Sequence, residues 1–135
     1  MPLQLDIVTP EGVTFSGQVQ NVVIPSTDGE LGILPDHVGL VVQIEPGELA
    51  MEHDGRTTHL AVGSGFVEVA SNKVSVLTDM AINEDDIDED AAEAAMRRAE
   101  AAMREEKLQG EEHATVQASL QKSLAQLKVK RRRGA

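Results

Sequence analysis

The residue vocabulary of the chain changes once, near Ile82, and that change limits the folds open to it. Up to Ile82 the sequence is rich in Val, Ile, Gly and Pro. Beyond it, Ala, Glu, Gln, Leu and Arg dominate, with Gly110 the one glycine before the extreme tail. β-branched residues fit a pleated surface, whereas Ala and straight-chain residues lose little rotamer freedom in a helix, so the shift reads as strands followed by helices. Charge changes at the same place. Two bases, Arg56 and Lys73, stand against eleven acids through Ile82, while ten bases and twelve acids follow. The second part is ordered, from the acidic run "EDDIDED" (84–90) to the basic "KVKRRR" (128–133). A chain of 135 residues amounts to one domain, or a small domain with an appendage. The expected division is 1–83 and 84–135.

Period-two alternation runs through the first part. "LQLDIV" (3–8) puts Leu3, Leu5 and Ile7 on one face, and "VQNVVI" (19–24), "THLAVGSGFVEVAS" (58–71) and "KVSVLTD" (73–79) continue the pattern. "TPEG", "STDGE", "EPGE" and "HDGR" punctuate it, and Asp54-Gly55 suits a tight hairpin turn. Several short strands separated by turns indicate a sandwich or barrel. With under ninety residues and no disulfide, two packed antiparallel sheets are the economical way to bury both apolar faces. The fold class expected is therefore mainly β plus α, an antiparallel β-sandwich followed by an antiparallel two-helix hairpin.

The helices are read from caps and spacing. Asp86 or Asp88 can cap the first, whose alanines recur at 91, 95, 99 and 102 beside Met96 and Met103. Gly110 is the expected stop. The second helix is expected from about Ala114 to Val129, with Val116, Leu120, Leu124 and Leu127 at helical spacing. Neither helix carries enough large apolar residues to stand alone, so the hairpin is expected to be marginal unless it packs on something else.

Composition excludes several chemistries. There is no cysteine, hence no disulfide, thiolate metal site or thiol nucleophile, and Phe15 and Phe66 are the only aromatics. A net charge of −11 repels a phosphate backbone, and base-stacking platforms are lacking, so nucleic acid is not an expected partner. No apolar stretch approaches the roughly 20 residues needed to span a bilayer, and a soluble intracellular chain is expected. The four histidines do not form a metal-ligand spacing such as HExxH, and the acidic run lacks the EF-hand pattern with its loop glycine. No metal or cofactor is expected. "VGSGF" (62–66) lacks the GxSxG spacing of a nucleophile elbow, and its glycines suit strands that approach closely or bend.

One stretch resists this inventory. "DGELGILPDH" (28–37) mixes Gly-dependent turns with Leu31, Ile33 and Leu34, and carries Glu30 and His37. From the residues alone it suits a docking loop or a buried bend equally. A hydrolytic site built on Glu30 and His37 has no evident nucleophile, and a stand-alone β-sandwich binding module with a helical oligomerisation arm is the alternative of another class.

Taken together, "GELGILPDH" (29–37), "VGSGFVEVASNKVSVLTDMA" (62–81), "IDEDAAEAAMRRAEAAM" (87–103), "VTPEGVTFSGQVQNVVIPS" (8–26) and "SLAQLKV" (123–129) resemble the epsilon subunit of the rotary F-type ATP synthase. The likeness covers nearly the whole chain and preserves the order and spacing of the segments. It implies a non-catalytic central-stalk subunit whose sandwich clamps the foot of the gamma subunit and rests on the polar loops of the c-ring. It thereby helps couple proton transport to ATP synthesis, as a peripheral protein on the cytoplasmic, stromal or matrix face of the coupling membrane. By position in the motif, Glu30 and Leu31 would face the c-ring, Gly29 and Gly32 would shape the loop, and His37 would fall near gamma. The hairpin would be a regulator that can extend into the alpha/beta catalytic hexamer and block ATP hydrolysis. Lys122, Lys128, Lys130, Arg131, Arg132 and Arg133 would then face acidic residues of the beta subunits.

The sequence departs from the resemblance at one instructive place. Family members that bind ATP on the folded hairpin carry Ile/Leu-Asp-x-x-Arg-Ala, whereas here Ile87 and Asp88 are followed by Glu89, Asp90, Ala91 and Ala92. Ala91 replaces the arginine, and the flanking acids repel a triphosphate, leaving Asp88 as the only retained polar element. Isothermal calorimetry of the isolated protein with ATP is expected to give a dissociation constant in the millimolar range or weaker.

Overall fold

A computed structural model describes residues 3–105 and 110–134, with side chains through Arg131. Ten strands come first: β1 (Leu3–Thr9), β2 (Gly12–Val19), β3 (Asn21–Ser26), β4 (Gly29–Ile33), β5 (Leu40–Ile44), β6 (Gly47–His53), β7 (Arg56–Val62), β8 (Gly65–Ala70), β9 (Lys73–Thr78) and β10 (Ala81–Asn83). A single 3-10 turn at Glu84–Asp86 leads into α1 (Glu89–Arg104) and α2 (Glu111–Gly134).

Alternation becomes burial along the strands. In β1, Leu3, Leu5 and Ile7 are fully buried while Gln4, Asp6 and Val8 point outward. The strands run in the order β10-β7-β6-β3-β5-β8-β9-β1-β2, with β4 paired to β3. One bridge, Ser26 opposite Ile44, joins β3 to β5, so the ladder folds there into two facing layers. Between them lies one aliphatic core that includes Leu3, Leu5, Ile7, Ile24, Ile33, Ile44, Leu49 and Val67, with Phe15 packed at its margin. Every strand pair is antiparallel except β1 with β9, which run parallel. The antiparallel expectation fails at that pair because β1 and β9 are far apart in sequence. No hairpin turn joins them, so local geometry does not impose opposite directions.

Turn chemistry follows the residues. Asp54 and Gly55 take φ of 53° and 74°, the left-handed pair that a two-residue hairpin between β6 and β7 requires. The glycines of "VGSGF" serve close approach: a Cβ on Gly65 would run into the Leu77 carbonyl, and one on Gly63 into the Asp79 carboxylate.

The helices differ in detail from the sequence reading. Asp88 is the N-cap of α1, its carboxylate accepting the Ala91 N–H at 3.0 Å, and Glu89 and Asp90 lie in the first turn, where the helix dipole favours acids. Helix α1 ends at Arg104 with Glu105 extended, and Gly110, at φ 60°, instead precedes α2. Helix α2 extends beyond the expected limits at both ends. Its expected apolar stripe is broken, because Leu124 is 41% exposed while Ser123, Ala125, Leu127 and Val129 are buried. Two neighbours replace one: α2 packs against α1 and also against β6 and β7, so its C-terminal half is covered from two directions.

Replacing Gly65 by Ala is expected to lower unfolding free energy by about 1–3 kcal/mol, since backbone rather than a flexible side chain must give way. Gly32→Ala, with no atom within 4 Å of the new methyl, is expected to stay within about 0.5 kcal/mol. Urea denaturation of both variants checks the contrast.

Candidate docking surfaces

The stretch 28–37 resolves into an edge hairpin and a turn. Between β3 and β4, the Ser26 hydroxyl donates to the Gly29 carbonyl at 2.5 Å and accepts the Asp28 N–H at 3.2 Å, closing the turn that Gly29 permits with φ 108°. Among the described residues strand β4 pairs only with β3, which leaves its other edge unpaired there. Gly29, Glu30 and Gly32 are exposed along it, whereas Leu31 is half-buried against the main core and Ile33 is fully buried. Of the aliphatic residues that a docking loop would expose here, Leu34 is the one that faces out, at 61% exposed, with Val38 close behind at 75%. The alternation of β4 explains the correction, since Leu31 and Ile33 share its inward face.

A β-turn carries the chain from β4 toward β5. Its closing bond runs from the His37 N–H to the Leu34 carbonyl at 3.2 Å, around Pro35 and an Asp36 at φ 65°. Asn72 anchors this turn, accepting the Asp36 N–H at 2.5 Å and donating to the Asp36 carboxylate at 3.2 Å. His37 is half-buried with Nδ1 2.8 Å from the Val38 carbonyl. Among the described residues no hydrogen bond or ion pair joins Glu30 to His37, so the structure does not assemble the pair that a hydrolytic reading would use.

The two outer faces of the sandwich have different fates. Helix α2 covers the β6–β7 face, where Ala61, Met80 and Ile87 meet Ala125 and Val129 in a second, smaller apolar cluster. The face made by β5, β8, β9, β1 and β2 is open. Register aligns Gln43, Phe66, Leu77, Val8 and Val13 in one cross-strand row. Phe66 is 55%, Leu77 54% and Val13 67% exposed, and Val41 lies one row away at 68%. A groove of about 380 Å³ continues the band past Val8, Pro10, Leu77 and Gly65. The rest of the Val41 row is polar, running through Glu68, Ser75, Asp6 and Ser16; Asp6 accepts from Ser16 at 2.7 Å and from Gln4 at 3.0 Å, with Lys73 at 3.6 Å. Those hydrogen bonds, from Ser16 first, then Gln4 and the Lys73 charge, hold the Asp6 carboxyl below its ordinary pKa. Sequence reasoning did not single out this band. Its signal is the apolar residue at an outward position in each of two adjoining strands, Phe66 in "GFVEVA" and Leu77 in "KVSVLT".

The basic residues of α2 are largely engaged within the molecule. Lys122 sits 3.3 Å from the Asp79 carboxylate, and Lys130 Nζ donates to the Glu84 carbonyl at 3.3 Å. Arg131 donates to Glu89 at 2.9 Å and to Glu93 at 2.8 Å. Gln126 adds a 3.4 Å contact to the Met80 sulfur. Lys128 is exposed, and the side chains of Arg132 and Arg133 lie outside the described residues. Glu93 is held below its ordinary pKa, chiefly by Arg97 through hydrogen bonding and charge, with Arg131 adding to it. Asp88 is committed to capping α1.

The chain is thus an acidic β-sandwich with one outer face capped by its own helical hairpin and the other carrying an apolar band. Family models fill in the rest: the "ATP synthase, Delta/Epsilon chain, beta-sandwich domain" matches residues 2–84, and the "ATP synthase, Delta/Epsilon chain, long alpha-helix domain" matches 85–131. The chain belongs to the ATP synthase delta/epsilon family and is a non-catalytic subunit. It is similar to the ATP synthase epsilon chains of Nitratidesulfovibrio vulgaris, 41% identical with 95% of each chain covered, and of Herpetosiphon aurantiacus, 41% identical with 96% of this chain and 94% of that one covered. Its fold is shared with a chain of the Euglena gracilis mitochondrial ATP synthase at TM-score 0.73 and 22% identity, covering 89% of this chain and 76% of that one. A chain of the Tetrahymena thermophila mitochondrial ATP synthase central stalk and c-ring covers 100% of this chain and 98% of its own at TM-score 0.61 and 9% identity.

Both Asp6 and Glu93 have folded-state pKa values depressed below the unfolded ones. Their stabilisation is present above the unfolded carboxylate range and is lost as pH falls through the folded values. An acid titration of stability is therefore expected to steepen below about pH 4, and Asp6→Asn together with Glu93→Gln is expected to flatten that limb and to lower the neutral-to-alkaline limb without changing its slope.

Proposed function

We propose that this chain is a central-stalk subunit of a proton-translocating ATP synthase, its sandwich linking gamma to the c-ring and its hairpin restraining ATP hydrolysis. The observation that carries the reading is the open apolar band of Phe66, Leu77, Val8 and Val13 on a chain that matches the family from end to end. An exposed contiguous apolar row bordered by polar residues marks a protein-binding surface. Phe66, as an exposed aromatic beside a groove, has the character of a binding anchor. The band is the gamma-docking face in this reading. The loop held by Asp36 and Asn72 presents Leu34, Val38 and His37 at the opposite end of the same sheet.

The open edge of β4 suits the second contact. Glu30 stands exposed there between Gly29 and Gly32 and can meet polar or basic groups of the c-ring loops, while half-buried Leu31 supports the strand from behind. With eleven acids against two bases through Ile82, the sandwich favours basic partner surfaces and association accelerated by charge. Among the described residues no helix is long and apolar enough to cross a membrane, so in this proposal the protein meets the membrane only through its partners, as a peripheral subunit. The hairpin is folded down against the sandwich. Contact of its basic end with acidic residues of the beta subunits requires an extended state that breaks the pairs of Lys122, Lys130 and Arg131.

Calorimetric titration into the cognate catalytic core depleted of this subunit tests the proposal. The wild-type chain is expected to bind one-to-one. Phe66→Asp and Leu77→Asp are each expected to weaken binding about thirtyfold, the roughly 2 kcal/mol of a binding hot spot, while circular dichroism stays native because both side chains already face water. Absence of wild-type binding would refute the rotor assignment.

A further inference from the structure

We propose that Asn72 is a positioning residue for docking: its side-chain amide, without touching the partner, fixes the Leu34–Val38 turn in the shape that presents Leu34 and Val38 together. The inference rests on the proposed central-stalk reading for the partner, the gamma-containing catalytic core, and not for the clamp itself.

Asn72 is a firm anchor. Ser71 and Asn72, at φ 51° and 62°, form the two-residue left-handed turn between β8 and β9. The Asn72 carbonyl also accepts the Gln4 N–H at 2.9 Å, where β1 joins β9. Its backbone is therefore pinned by β8, β9 and β1, and its half-buried side chain is left to serve another segment.

That segment has little else to hold it. Residues 34–39 lie between β4 and β5, outside both strands. From Pro35 to Val38, among the described residues, the hydrogen bonds that reach another part of the sandwich are the two made by Asn72. Its Oδ1 accepts the Asp36 N–H at 2.5 Å, and its Nδ2 donates to Asp36 Oδ1 at 3.2 Å. The bonds from the His37 N–H to the Leu34 carbonyl, and between His37 Nδ1 and the Val38 carbonyl, stay inside the turn. An amide offers an acceptor and a donor side by side, which is what a backbone N–H beside a carboxylate needs. Asp36 sits at φ 65°, a conformation that a non-glycine residue keeps only when its surroundings impose it.

The clamp lies between two apolar side chains that the free protein has no use for. Leu34 is 61% and Val38 75% exposed, so neither adds to the aliphatic core. Val41, 68% exposed, follows just beyond the turn on the outward face of β5, which makes the pair continuous with the open sheet face. A turn ordered before contact loses less conformational freedom on binding, so affinity depends on the clamp even though the clamp makes no contact.

The test uses three variants of the full-length chain. Asn72→Gly removes both bonds and keeps a left-handed backbone that glycine adopts freely. Ser71→Gly loosens the same hairpin at a similar φ and leaves the clamp intact. The exchange of Asp36→Asn with Asn72→Asp rebuilds both bonds with roles reversed, a carboxylate at 72 accepting the backbone N–H and the new amide at 36. On the isolated protein, amide hydrogen exchange at Asp36 is expected to be on the order of tenfold faster in Asn72→Gly than in wild type, and near wild type in the other two. In calorimetric titration into the cognate core depleted of this subunit, Asn72→Gly is expected to bind on the order of tenfold more weakly, with urea unfolding close to wild type. Ser71→Gly and the exchanged pair are expected to bind like wild type. Unchanged affinity in Asn72→Gly, an equal loss in Ser71→Gly, or a loss that tracks global stability would each overturn the positioning role. Weak binding by the exchanged pair with its residue-36 amide still protected would overturn it too, by making Asn72 a direct contact. Unchanged exchange at Asp36 in Asn72→Gly refutes the clamp alone, whatever the wild type binds, whereas a wild-type chain that does not bind refutes the rotor reading and the positioning role together.

Discussion

The seating of α2 on the outer face of β6 and β7 governs which surfaces this molecule has to offer. Ala50 and Ala61 present little side chain on that face, so the helix axis can lie close, and Ala125 and Val129 fill the space between. Once that face is covered, the opposite sheet is the broad strand surface left open. The apolar row from Phe66 to Val13 remains there in water. A helical pair with so few large apolar residues would be marginal alone; packed against the sandwich, it buries its C-terminal half from two sides.

Charge is distributed to match this division. The sandwich supplies carboxylates, and α2 brings most of its cations to one end. Asp79, the Glu84 carbonyl and the acidic first turns of α1 receive Lys122, Lys130 and Arg131 in sequence along the seam. Glu89 thus has two functions, stabilising the N-terminus of α1 through the helix dipole and accepting Arg131. These contacts are exposed and ionic, and they run beside the apolar seat of Ala61, Met80, Ile87, Ala125 and Val129.

Local rules were legible wherever one neighbour decided the outcome. The left-handed turn at Asp54-Gly55, an aspartate cap narrowed to Asp86 or Asp88, the inward faces of β1 and β9, and the sandwich-then-hairpin order all follow from turn chemistry, capping and period-two alternation. Reading failed where a second neighbour intervened. Leu124 belongs to a helical stripe by spacing yet is exposed, because α2 touches both α1 and a sheet and its buried arc is set by their angle. Leu31 and Ile33 looked like the tip of a docking loop, but strand pairing of β4 with β3 turned them inward and left Glu30 and the glycines outside. The band of Phe66 and Leu77 escaped notice because each is a single outward apolar residue in its own strand. Only the cross-strand register makes them neighbours.

By itself the sequence determined the two-part architecture, the aliphatic core, the acidic sandwich, the absence of cysteine chemistry and, through its motifs, the family. These follow from composition and short-range periodicity, which act within a few residues. Tertiary structure decided which sheet face is covered, that β1 joins β9 in parallel, that the apolar row is continuous, and that Arg131 finds Glu89 and Glu93 some forty residues away. Those outcomes depend on register and on the angle at which α2 lies across the sheet, and both are set by packing between distant segments, where no local pattern records the partner.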